Sequence, residues 1–103
     1  MTDNEWIPLG SVVVLKGTTQ KLLIIGRGLN VGDEGSEYYF DYCGVAYPEG
    51  LMSDQVVYFN HTAVYRTLYA GYDDDDNRIM NDRINSYISD HPDLKRMPDQ
   101  QNV

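Results

Sequence analysis

The chain has 103 residues, enough for one domain with a single core. Its 16 acidic and 8 basic side chains leave a net charge of −8, which repels phosphate backbones and anionic lipid, so neither nucleic acid nor an acidic membrane is an expected partner. No apolar run approaches the roughly 20 residues of a bilayer span, so no membrane insertion is expected.

The N-terminal stretch MTDNEWIPLG carries Asp3 and Glu5 and no apolar run, unlike a signal peptide. The single Cys43 has no partner for an internal disulfide. Together these point to a cytoplasmic, reducing setting.

SVVVLK at 11–16 and QKLLIIGR at 20–27 read as two strands, joined by the hairpin link GTTQ. Both runs are continuous rather than alternating, which predicts strands covered on both faces. GLNVGDEGSE at 28–37, with three glycines, an asparagine and three acids, reads as an exposed loop. EYYFDYCGVAY at 37–47 is a third strand, with Tyr38, Phe40 and Tyr42 on one face and Tyr39, Asp41 and Cys43 on the other. Gly44 marks a bulge or bend there.

YPEG at 47–50 is a turn. DQVVYFN at 54–60 is a fourth strand, and Asn60 is placed to cap a short helical turn over 61–64. A last strand covers 66–70 or, alternatively, 64–69. GYDDDDNR then opens a helix over about 74–91. Met80, Ile84, Tyr87 and Ile88 recur at helical spacing as its packing stripe, and Pro92 ends it. The sequence from 92 to 103 is polar and aperiodic and reads as a flexible tail.

The sum is a mainly β (α+β) domain over residues 1–91. It is a small twisted antiparallel sheet or partly open five-stranded barrel, with strands within 11–70, followed by one C-terminal helix.

Chemistry is hard to find in this pattern. An EF-hand-type calcium loop begun at Asp73 would place Arg78 where the turn needs glycine and Ile84 where it needs a bidentate glutamate. The aspartates fit a helix start better, where acids face the positive end of the dipole. Cys43 lies among aromatics and reads as a small buried hydrophobe, and His61 reads as a local hydrogen-bonding group. The glycines at 26–35 share their segment with acids, which would repel phosphate. No metal ligand set, cofactor or catalytic group is expected, and the chain reads as a non-enzyme. Nine tyrosines, by contrast, exceed what a small core buries easily, and tyrosine is enriched where proteins meet.

The strings IPLGSVVVLKG, KLLIIGR, YFDYCGVAYPEG and FNHTAVY, in this order, resemble a family of small bacterial proteins known as domain of unknown function four-one-seven-six. The resemblance spans Ile7 to about Asp74. It implies an accessory of type VII secretion: a dedicated chaperone or targeting factor that binds an LXG toxin, through its helical delivery domain, and assists its export. Other small secretion accessory proteins are further partners that it implies. The matched positions Gly10, Tyr47, Pro48, Glu49, Gly50, Asn60 and His61 read as fold-shaping as readily as partner-binding. The partner-binding candidates are Tyr39, Tyr47, Glu49, Tyr72, Asp74, Asp75 and Asp76. Two alternatives stay open: an immunity protein that neutralises a cognate toxin, and a small ligand-binding β-barrel.

Overall fold

The computed structural model describes residues 6–96, the side chain of Asp33 apart. Readings of residues 1–5, and of the tail from 97 onward, lie outside the described residues. Five strands precede one helix: β1 Val12–Leu15, β2 Lys21–Asp33, β3 Ser36–Tyr47, β4 Val57–Phe59, β5 Val64–Tyr69 and α1 Asp75–Asp90. A 3-10 turn, His61–Ala63, links β4 to β5. The strands form one open antiparallel sheet in the order β4-β3-β2-β1-β5. The first four strands meander, and the fifth returns to pair with the first. This is the predicted mainly β domain with a C-terminal helix, in its open-sheet form.

The segment expected to be a loop, 28–37, is instead the distal half of a long hairpin. β2 runs on to Asp33 and turns back at once, with Asp33 paired to Ser36. Glu34 (φ 50°) and Gly35 (φ 83°) both take positive φ, the geometry whose twist matches the strands it joins. The glycines and acids that resemble loop composition are thus a two-residue turn and its approach. A bulge also falls where β2 faces Gly44, but the extra residue is Ile25 on β2: Ile24 pairs with Gly44 and Gly26 with Cys43.

Ile7, Val13, Leu22, Ile24, Tyr42 and Phe59 form the core, with Trp6, Leu15, Ala63 and Val64 packed around it. β1 and β2 are not covered on both faces. Val13, Leu22 and Ile24 point into the core, while Ile25 is exposed and Val12, Val14 and Leu23 are half-buried. The strand enclosed on both faces is β3, where Tyr39 through Val45 are all buried. Continuous apolar runs misled here because the helix does not lie over β1.

Other boundaries shift for local reasons. The fourth strand is only three residues long. Before it, Gln55 N–H donates to Met52 O (3.0 Å) and Ser53 takes φ 56°, so the chain is still turning. The fifth strand follows the 64–69 alternative. Asn60 precedes the 3-10 turn but its side chain makes no cap bond, because it faces β3.

Helix α1 begins as the aspartates predict. Asp74 is the N-cap and its Oδ1 accepts from Asn77 N–H (3.1 Å). Asp73 Oδ1 accepts from Asn77 Nδ2 (2.9 Å), Asp75 pairs with Arg78, and Asp76 is exposed in the first turn. The packing stripe differs from prediction. Met80 is exposed, Ile84 is the only buried residue of α1, and the inward positions beside it are Asn81, Asn85 and Ile88. The segment after Pro92 does not stand away from the fold over 92–96. Tyr39 N–H donates to Lys95 O (2.8 Å), and Arg96 reaches Asp41.

Candidate interaction surface

β3 outruns β4, which pairs only with Tyr42, Cys43 and Gly44. The free edge before Tyr42 is closed by other groups. Lys95 O takes the Tyr39 N–H, and Asn60 Oδ1 takes the Asp41 N–H (3.1 Å). Asp41 is 5% exposed. Its Oδ1 accepts from Arg96 Nη1 (2.6 Å) and its Oδ2 from His61 N–H (2.8 Å). Arg96 also donates to Asn60 Oδ1 (3.2 Å) and lies over the Tyr39 ring. A buried carboxylate is thereby both paired and hydrogen-bonded, the condition under which burial is tolerated.

On the opposite face, Tyr42 Oη accepts from Ile7 N–H (3.1 Å) and lies 2.9 Å from His61 Nδ1. Burial pushes the Tyr42 phenol up to about 12, so it keeps its proton at neutral pH. Burial lowers the His61 pKa although Asp41 opposes this, which favours the neutral ring. The predicted local hydrogen-bonding role of His61 is what the geometry shows. Cys43 is buried, as predicted, and burial raises its thiol pKa, which leaves it a poor nucleophile. Among the described residues no group of three or more His, Cys, Asp or Glu is placed to hold a metal ion.

The helix rests on the bend of the hairpin. Gly28 there has φ 62°, and a Cβ on it would lie 3.0 Å from Tyr39 Oη and 3.4 Å from Ile84 Cγ1, so glycine admits the helix. Beyond Ile84 the contact is polar: Trp6 Nε1 donates to Asn85 Oδ1 (2.9 Å), Arg27 Nη1 to Asn81 Oδ1 (2.9 Å) and Asn30 Nδ2 to Tyr87 Oη (3.2 Å). Tyr87 stacks on Tyr39, ring centres 5.9 Å apart. Burying Ile84 contributes about 1.5–3 kcal/mol, and each neutral hydrogen bond about 0.5–1.5 kcal/mol. Against this, Asn85 Nδ2 is buried without a partner, a penalty of about 1–3 kcal/mol. Arg27 is 9% exposed, and burial lowers its pKa against the pull of Tyr42 and Asp73.

The predicted partner-binding residues do not form one site. Tyr39 is buried beneath α1, stacked on Tyr87 and covered by Arg96, so it offers no free surface. Tyr47 and Glu49 are exposed at the turn after β3, beside Lys21. Tyr72 is 80% exposed, and Asp75 and Asp76 are exposed beside it at the helix start, with Asp74 half-buried as the cap. Further exposed apolar side chains lie on the sheet edge. Tyr65 (68%), Leu68 (40%) and Tyr69 (65%) lie on β5, and Tyr72 follows the strand. Ile25 and Tyr58 add to the exposed apolar surface. The density of tyrosine was the visible signal. That β5 is an edge was not, because strand order decides it.

No helix of the described residues is long and apolar enough to cross a membrane. The family model described as Domain of unknown function (DUF4176) matches residues 6–80. No curated relative and no solved structure matches the chain. The match covers the whole sheet and the start of α1, and the chain belongs to this family.

Proposed function

We propose that this member of the DUF4176 family is a non-enzymatic chaperone or targeting factor that holds an LXG toxin in the cytoplasm and assists its export by type VII secretion. The observation that carries the reading is the set of exposed large side chains Tyr65, Leu68 and Tyr69 on the outer strand β5, with Tyr72 just beyond it. Monomeric surfaces rarely leave contiguous large apolar side chains in water without a partner to cover them. Tyrosine supplies contact area at low entropic cost and keeps a hydroxyl for the wet rim of an interface. The choice of partner rests on the resemblance of the LGSVV and YPEG strings to secretion accessories. An LXG delivery domain, as a helical hairpin, exposes apolar stripes that such a strip would shield.

Co-expression with LXG proteins encoded nearby, followed by affinity capture, tests the reading. The helical delivery domain is expected to co-purify, and Tyr65→Ser with Tyr69→Ser to abolish capture without lowering the melting temperature. Capture of only the toxic half, with protection but no effect on export, would establish the immunity reading instead.

A further inference from the structure

The register of the sheet lines up two rows on the face turned away from the core. In the first, Val45 pairs with Leu23, Leu23 with Val12 and Val12 with Tyr69. In the next, Tyr47 pairs with Lys21, Lys21 with Val14 and Val14 with Arg66. Paired residues on neighbouring strands share a face, and Val13 and Leu22, between these positions, point into the core. The bulge at Leu68 brings Arg66 and Tyr69, an odd number of residues apart, to the same side. A solvated face of an antiparallel sheet commonly carries polar side chains, yet Val12, Val14 and Leu23 are apolar and only half-buried, with Tyr69 exposed beside them. α1 does not cover them, since its contacts fall on Trp6, Arg27, Gly28, Asn30 and Tyr39. The second row sets two exposed cations, Lys21 and Arg66, on either side of Val14, in a chain whose net charge is −8. Neither has an ion-pair partner among the described residues, and no carboxylate stands in either row.

We propose that this outer face of β1, β2 and β5 binds an amphipathic segment of a partner protein whose apolar stripe is bordered by carboxylates. Val12, Val14, Leu23 and Tyr69 cover the stripe, and Lys21 and Arg66 take the carboxylates. The cations decide between occupants. A second copy laid face to face would bring Lys21 and Arg66 against their own kind, with no acid in either row to separate them. Nucleic acid and acidic lipid meet the charge of the whole chain before they meet two cations. A few carboxylates beside apolar side chains match both parts of the surface. Lys21 and Arg66 stand two strands apart, about 9–10 Å. Carboxylates nearly two helical turns apart, about 10.5 Å, reach both. Only the existence of a polypeptide partner is taken from the chaperone reading; the chemistry it presents comes from this face.

The probe is a fluorescein-labelled peptide of about 18 residues, built of leucine, alanine and glutamate so that leucines form one helical face and glutamates border it. Its control replaces every glutamate with lysine. Both are titrated into the full chain at low salt, and backbone amide chemical shifts locate the contact. The net charge of −8 by itself favours the lysine peptide, so only a local basic face selects the glutamate one. The glutamate peptide is expected to bind about tenfold more tightly, with shifts gathered on β1, the first half of β2 and β5. Lys21→Glu with Arg66→Glu, at exposed positions, should invert the preference, and Lys21→Gln with Arg66→Gln should remove it. Leu23→Ser should weaken the glutamate peptide without changing which peptide is preferred. A lysine peptide that binds as well or better, no binding by either, or shifts gathered elsewhere would overturn the proposal. A concentration-dependent dimer with its contacts on this face would also overturn it, by giving the face to a second copy. No toxin enters these measurements. A failed capture of LXG proteins therefore leaves a positive peptide result intact, and a failed peptide result leaves the chaperone reading intact.

Discussion

The core of the sheet and the seat of α1 solve the same problem with opposite materials. In the core, Ile7, Val13, Leu22, Ile24, Tyr42 and Phe59 close on one another, and the Tyr42 hydroxyl meets Ile7 N–H and His61 Nδ1. In the seat, one isoleucine is surrounded by two asparagines, an arginine and a tryptophan nitrogen, and one buried donor goes unmet. The first arrangement admits one structure and penalises every departure. The second is held by several separate contacts, one of them offset by that unmet donor. Stability thus resides in the sheet, and adjustability in the helix.

The contrast is broken most directly from the core side. Ile24→Ala, at 1% exposure, is expected to destabilise the whole domain by about 2–5 kcal/mol. Chemical denaturation should show a lower midpoint with an unchanged slope. Ile84→Asp should cost less, about 2 kcal/mol, since the chain escapes the buried charge by releasing α1. Hydrogen exchange would then show α1 unprotected while β1–β3 stay protected. Loss of protection in both regions together would mean that helix and sheet are one cooperative unit.

A smaller effect follows from pH. His61 is neutral in the fold and burial holds its pKa below 6.5, so on acidification the unfolded chain takes up a proton first. Stability should therefore be constant above about pH 6.5 and decline as pH falls through it. His61→Asn should remove that dependence and nothing above it. Smallest of all, Asp74→Asn is expected to change stability by a few tenths of a kcal/mol, because asparagine also accepts the Asn77 N–H, whereas Asp74→Ala should cost about 1 kcal/mol. Thermal melts at neutral pH would separate the two.

These regions also differ in how much of them could be read in the sequence. The helix start was legible because Asp74 and Asn77 act locally, over one turn. Valine and isoleucine runs disclosed β1 and the first half of β2, and tyrosine spacing disclosed β3. The distal hairpin was not legible, since Gly28, Gly32 and Gly35 have the same composition whether they make a loop or a bent strand with a tight turn. The helix stripe was misread for a related reason. Asn81 and Asn85 are polar by type but inward by position, and only Arg27 and Trp6, more than fifty residues away in sequence, explain why. Tyr39 reads as a surface residue because its cover, Tyr87 and Arg96, comes from segments that no periodicity ties to β3. The exposed strip on β5 escaped notice because exposure there depends on strand order.

Neighbouring residues of β3 receive the two ends of the described chain. Ile7 N–H meets Tyr42, and Arg96 meets Asp41, from opposite sides of the strand. Removing Ile7 or Arg96 would therefore unfasten the same stretch of β3 from opposite faces.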